Sequence, residues 1–212
     1  MRLYLSSENV GNYSDQLLEM VGDNKTVAYI GNAKDDWDNS EKSAKVAEHK
    51  ALFEALGFNF TEFDLKNYFG AQKITKEDLV GFGLVWCSGG NTFLLRRALA
   101  DSGLDQVLVK MLKNNEIVYG GSSAGSIIPT PSLKGAEFGD DPSQVEKIYK
   151  KEIIWEGLNL VPFHIVPHYK TDWFRDDTEK MISYLKDNSH NFTALKDGQV
   201  VLVYSERHET LL

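Results

Sequence analysis

The sequence predicts an α/β fold, a mostly parallel sheet flanked by helices on both faces. Three observations predict it. Short apolar runs rich in β-branched and aromatic residues alternate with helical periods, and strands alternating with helices form βαβ units whose right-handed crossovers lay the strands parallel. No internal repeat, low-complexity tract or Pro/Gly/Ser-rich linker interrupts the 212 residues, so residues 1–212 are read as a single domain. Finally, EIVYGGSSAGSII, from Glu116 to Ile128, passes from an apolar run through glycines and serines into another apolar stretch, as a sharp strand-to-helix turn would.

The elements follow in order. RLYLSS, TVAYIGNA, FNFTEFDL, GLVWCSGG and EIVYGGS read as strands, several ending in small or polar residues. In EKSAKVAEHKALFEALG, Ala44, Ala47, Ala51, Leu52, Ala55 and Leu56 form one helical stripe, with Gly57 placed as a C-terminal cap. NTFLLRRALADSG offers Asn91 or Thr92 as N-cap and puts Leu94, Leu95, Ala98 and Leu99 on one face, and a third helix is expected from Leu104 to Lys113. From Pro129 to Gly157 the text is polar and broken, which predicts a long excursion over the surface. FHIVPHY then resumes strand character, TDWFRDDTEKMISYLKD reads as an amphipathic helix, and FTALKDGQVVLVYS reads as two strands about Asp197-Gly198.

Composition narrows the function classes. The net charge of -8, from 23 basic and 31 acidic residues, argues against an extended phosphate-binding face and so against nucleic acid as a partner. No apolar stretch approaches the roughly 18 residues of a membrane helix, so no membrane partner is expected. MRLYLSSENV has too short an apolar core for a secretory signal. A single cysteine, Cys87, fits a reducing compartment, and the expected location is cytoplasmic.

The chemistry centres on Gly121-Ser122-Ser123-Ala124-Gly125, which fits G-x-S-x-G and singles out Ser123. The bare motif occurs by chance in Gly- and Ser-rich turns; its place between a strand and a helix is the context that gives it meaning. A serine hydroxyl needs a base to take its proton and a carboxylate to orient that base. There are five histidines to consider. His49 is expected to face solvent on its helix, His190 to lie in a loop and His208 near the chain end. His164 and His168 share a strand-like segment and would face the same side; His164 reads as a hydrogen-bonded core residue, whereas His168 sits where the strand gives way to a loop. The Ala124 amide, at a helix start without an intrahelical acceptor, is one oxyanion donor. Gly90, in the glycine-rich CSGGNTF turn, is the second candidate. Cys87, inside a predicted strand, reads as a buried inert thiol.

SGGNTFLL, GSSAG and IVPHY, in this order, resemble the peptidase E family of aspartyl dipeptidases and their relatives, with cyanophycinase more distant, and the likeness covers most of the chain. It implies a serine peptidase on a class I glutamine amidotransferase-like (flavodoxin-like) three-layer sandwich. It further implies that Ser123 is the nucleophile, His168 the base, and Gly90 and Ala124 the oxyanion donors. The family's acid is usually a glutamate in a segment like Leu-Pro-Glu-Gly; ALKDGQVVLV puts Asp197 there, one methylene shorter. Glu137, Asp140 and Asp141 compete for the role but read as solvated surface charge. A preference for N-terminal aspartate would call for a cation; Arg175 is available but reads as an exposed helix arginine.

The expected substrate is a small peptide. No cofactor is expected, and no metal, since H-E-x-x-H and paired cysteines are absent from the sequence. The expected assembly is a monomer or homodimer. Two other readings stand beside this one: an α/β-hydrolase esterase ordered Ser, acid, His through Asp197 and His208, and a non-catalytic small-molecule binding domain on the same fold.

Overall fold

Seven strands form the main sheet in the order β3-β2-β4-β5-β1-β8-β9 in the computed structural model, which describes residues 1–205 and 207–211. β1 (Arg2–Ser6), β2 (Thr26–Ile30), β3 (Asn59–Glu62), β4 (Leu84–Cys87) and β5 (Val118–Ser122) run parallel. β8 (Val200–Tyr204) lies antiparallel to β1, and β9 (Arg207–Leu211) antiparallel to β8. β6 (His164–Val166) and β7 (Phe192–Ala194) form a separate parallel pair. The expected α/β class is therefore the observed one.

Alternation along the strands splits the interior into two layers, because successive side chains of a strand point to opposite faces. Tyr4, Val27, Tyr29, Leu84, Trp86 and Val118 pack against α1 (Ser14–Val21) and α2 (Asn39–Ala55). Leu5, Ala28, Ile30, Val85, Cys87 and Tyr119 pack with α3 (Thr92–Ser102) and α4 (Leu104–Lys113). A sheet covered on both sides has no solvated face, which explains why its central strands read as continuous apolar runs. Each large side chain removed from water here contributes about 1.5–3 kcal/mol.

The helix stripe expected on α2 is out of phase. Val46, His49 and Phe53 form the buried face, whereas Ala44, Ala47, Ala51 and Ala55 are exposed. Alanine has too little apolar surface to choose a face, so the bulkier Val46 and Phe53 decide it. Gly57 does close the helix, at φ 84°. Asn91 is the N-cap of α3, its side chain accepting from the Phe93 and Leu94 amides. α3 is buried on more than one side, since Leu95, Ala98 and Leu99 face the sheet while Phe93 and Leu94 enter a third cluster.

That cluster corrects the expected surface excursion. The 129–157 segment contributes Leu133, Ala136 and Val145, which pack with α3 and with Met181 and Leu185 of α7 (Arg175–Asp187). It carries α6 (Gln144–Tyr149), and the Tyr149 hydroxyl donates to Asp35 at 2.5 Å across the fold. Its apolar residues are too widely and irregularly spaced to show a period, so the burial was invisible locally.

His49, expected to face solvent, is 3 % exposed. Its Nδ1–H donates to the Lys45 carbonyl at 2.8 Å and its ring centroid lies 5.2 Å from that of Tyr29. Burial first, and then the Lys34 and Lys45 cations, hold its pKa down from 6.5 to about 4. Between those values the unfolded chain binds a proton that the folded chain refuses, so stability must fall as pH drops through this window. Urea unfolding at about pH 7.5 and about pH 4.5 should show this loss in the wild type and a smaller one in His49→Gln; an equal loss in both would sink the assignment.

Candidate active site

The carboxyl ends of β1, β2, β4 and β5 meet at one rim, where open parallel sheets place their ligands. β5 ends at Ser122, Ser123 follows at φ 50° and ψ -114°, and α5 (Ala124–Ile127) begins at once. Such a backbone costs a non-glycine residue of order 1–3 kcal/mol and persists only where its surroundings over-determine it. Those surroundings are specific. The Ser123 amide donates to the Ser6 and Ser7 carbonyls at 3.1 and 3.0 Å, tying the turn to the end of β1. A Cβ on Gly121 would come within 2.3 Å of the Gly125 carbonyl oxygen, and one on Gly125 within 2.0 Å of the Cys87 carbonyl oxygen. The glycines of G-x-S-x-G are needed here for close backbone approach.

His168 reaches Ser123 from beyond β6. The strand stops at Val166, and His168 turns away at φ 59°, so it does not share a strand face with His164 as expected. Its Nε2 lies 3.0 Å from Ser123 Oγ, and its Nδ1 lies 2.7 Å from Asp197 Oδ1. Asp197 sits in the turn between β7 and β8. Two further hydroxyls hold the carboxylate, Ser7 Oγ on Oδ1 at 2.9 Å and Thr171 Oγ1 on Oδ2 at 2.9 Å. Ser7 Oγ also accepts from the His168 amide at 2.8 Å, so one side chain from the end of β1 fixes imidazole backbone and carboxylate together. Neither hydroxyl was singled out from the sequence. The paired serines closing RLYLSS at a strand's carboxyl end were the available signal for Ser7; nothing local marked Thr171.

Gly90 lies beside this group. Its φ of 133° suits glycine, and a Cβ there would meet the Ala33 carbonyl oxygen at 2.4 Å. The neighbouring Gly89 packs on the elbow, with its Cβ position 3.0 Å from Ser123 Cβ. Among the described residues, neither the Gly90 amide nor the Ala124 amide is committed to a carbonyl. Gly90, Ser123 and His168 line one cleft of about 420 Å³, walled by Trp37, Trp173 and Asp140. The exposed Trp173 ring lies 5.0 Å from that of His168. Chemically, the cleft presents a hydroxyl in contact with an oriented imidazole, next to uncommitted backbone donors.

The other candidates lie elsewhere or act otherwise. Asp140 is not solvated surface charge: it accepts from the Thr92 amide and hydroxyl at 2.9 and 2.5 Å, and burial pushes its pKa up to about 6. Asp141 is exposed, and the Glu137 carboxylate accepts from the Gly135 amide at 2.5 Å. Arg175 is exposed and paired with Asp172. His164 is buried with its ring 4.9 Å from that of His190, and the exposed His208 lies 4.7 Å from the Phe163 ring, on β9. Burial pushes the Cys87 thiol up to about 12, as suits an inert core residue. Among the described residues no group of His, Cys, Asp or Glu could hold a metal ion, and no helix is long and apolar enough to cross a membrane.

A mostly parallel α/β sheet with a strand-elbow-helix at its carboxyl rim defines an α/β protein of the three-layer type. In fold it is similar to a candidate peptidase E protein from Listeria monocytogenes EGD-e, with a TM-score of 0.79 at 22% identity, over 99% of this chain and 97% of that one. In sequence it is 27% identical to an uncharacterized peptidase, Lin0382, of Listeria innocua, over 84% of this chain and 83% of that protein. It is 33% identical to peptidase E of Streptomyces coelicolor over 58% of this chain and 49% of the relative. The model of peptidase family S51 matches residues 4–211, and the chain belongs to that family, the peptidase E family.

The elbow makes a prediction independent of any activity. Gly125→Ala should lose at least about 2 kcal/mol in denaturant unfolding or fail to accumulate folded, because its Cβ meets backbone that cannot swing aside. Gly57→Ala, whose Cβ would meet nothing within 4 Å, is strained only by its φ of 84° and should cost less.

Proposed function

We propose that the chain is a serine-type peptidase hydrolysing dipeptides or short peptides through Ser123, His168 and Asp197. The observation that carries this reading is the run of two hydrogen bonds, 3.0 and 2.7 Å long, from Ser123 Oγ through the His168 ring to Asp197. Each group then has a role its chemistry suits. Asp197 holds the imidazole with Nδ1 protonated, leaving the Nε2 lone pair for the serine proton.

Ser123 Oγ attacks the peptide carbonyl carbon as His168 Nε2 takes the hydroxyl proton. The carbonyl oxygen, now carrying the negative charge, is held by the Gly90 and Ala124 amides, and such donors contribute about 3–4 kcal/mol each to the barrier reduction. Collapse breaks the C–N bond, and His168 passes its proton to the leaving amine. The Ser123 ester remains. Water attacks it, giving a proton to His168; the C–O bond to Ser123 breaks, and the proton returns to Oγ as the carboxylic acid leaves.

The cleft's volume of about 420 Å³ supports a small substrate, falling in the roughly 300–1,000 Å³ range of small-molecule sites. Its cations are Lys34 and Lys45, while Arg175 lines a separate hollow along α7. A substrate with an acidic N-terminal residue would therefore meet Lys45 in this reading.

A dipeptide library that includes N-terminal aspartate, combined with a fluorophosphonate probe, tests the proposal. Wild type should be labelled on Ser123 and turn over at least one dipeptide. Ser123→Ala should lose the label, and both it and His168→Ala should lose at least about 10⁴-fold in kcat/KM. His208→Ala should stay within about twofold of wild type. An active His168→Ala beside a dead His208→Ala would instead favour the esterase ordering, and an unlabelled, inactive wild type would overturn the serine-peptidase reading.

A further inference from the structure

We propose that Lys34 is a positioning residue for the oxyanion donor: its ammonium grips the Gly89 carbonyl and thereby aims the Gly90 N–H at the reacting centre. The inference rests on the serine-peptidase reading above and assigns a role to a residue that reading leaves unused.

Lys34 ends a 3₁₀ turn, Asn32–Lys34, at the carboxyl end of β2. β2 pairs with β4, so the segment following β2 lies beside the Ser88–Asn91 turn that follows β4. Three hydrogen bonds join them. The Ala33 carbonyl accepts from the Asn91 amide at 2.7 Å, and Lys34 Nζ donates to Ser88 Oγ at 2.8 Å and to the Gly89 carbonyl oxygen. The turn is thus clamped on both sides of one peptide unit, that between Gly89 and Gly90.

That unit carries the Gly89 C=O and the Gly90 N–H. A trans peptide is planar, with its C=O and N–H pointing in opposite directions, so holding the oxygen fixes the direction of the N–H. Left to itself, a Gly-Gly peptide could rotate about its flanking bonds with little steric resistance, since neither residue has a Cβ. Lys34 selects one orientation, with the oxygen turned toward the β2 side. The same contact draws electron density toward the carbonyl and strengthens the N–H as a donor.

The site of the lysine argues for such a role. Lys34 is 2 % exposed, and its partners are a hydroxyl and a carbonyl, neither of which carries charge. Burial first, and then Lys45 and Lys42, lower its pKa from 10.5 to about 7. The Trp37 ring, 5.6 Å from Nζ, adds a further contact on the cleft side. A cation buried without a carboxylate partner is expensive, and an apolar side chain would fill the space more cheaply. What the ammonium does that an apolar chain could not is hold the Gly89 oxygen.

The test compares wild type with Lys34→Met on the dipeptide that wild type cleaves fastest, together with the peptide aldehyde of the same acyl residue. Kcat should fall about 10- to 100-fold with KM within about threefold, and aldehyde affinity should fall in step with kcat, because an oxyanion donor acts in the tetrahedral state. An unchanged kcat, or a loss confined to KM, overturns the proposal. A second measurement needs no variant. In wild type labelled with ¹⁵N-glycine, the Gly90 amide proton should move downfield when the aldehyde adds to Ser123; an unmoved Gly90 resonance overturns the proposal even if Lys34→Met does not fold. Fluorophosphonate labelling separates the failures. A labelled wild type with an unaffected Lys34→Met removes the positioning role alone, while an unlabelled, inactive wild type removes both readings.

Discussion

Everything at the carboxyl rim depends on how closely the backbone after β5 passes the end of β4. Gly125 lies against the Cys87 carbonyl and Gly121 against the Gly125 carbonyl, with no room at either glycine for a side chain. Ser123, between these two glycines, takes a positive φ of 50°, and the hydrogen bonds from its N–H to the Ser6 and Ser7 carbonyls hold it there. Buried strands on both sides supply the rigidity. A strained residue survives where neighbouring elements are too tightly packed to relax around it, and Tyr119, Trp86 and Leu5 are all fully buried.

From that fixed hydroxyl the rest of the arrangement is assembled by hydrogen bonds between segments remote in sequence. Ser7 is the joint. It joins the elbow, through its carbonyl, to the His168 amide and the Asp197 carboxylate, through its hydroxyl. Three segments separated by more than 100 residues from β1 thus bond to Ser6 and Ser7, where one central strand ends, and that strand is itself held by β5 on one side and β8 on the other. Thr171 closes the remaining oxygen of Asp197, so the carboxylate has directed partners on both oxygens. The aspartate is short, and the donors come to its carboxylate from the end of β1 and from the 168–171 turn.

The electrostatics of the cleft follow from the same geometry. Burial acts on two opposite charges that line it, lowering the pKa of Lys34 and raising that of Asp140. Neither group was marked as buried by the local sequence. Lys34 follows a strand as many surface lysines do, and Asp140 lies in a polar stretch that looks solvated. Each is enclosed by elements distant in the chain: Lys34 by the 88–90 turn, Asp140 by the start of α3.

The sequence by itself determined the class of fold, the strand-elbow-helix and the residues from which a site could be drawn. Those features are local: apolar runs, helix caps such as Asn91, and glycines needed where two backbones touch leave their mark within a few neighbouring residues. The face of α2, the burial of His49, the packing of the 129–157 segment and the contacts made by Ser7, Thr171 and Lys34 were decided only by the tertiary structure. The reason is physical. A hydroxyl or an ammonium has the same local signature whether it meets water or a carbonyl from another strand, and only the folded chain brings that second partner within 3 Å.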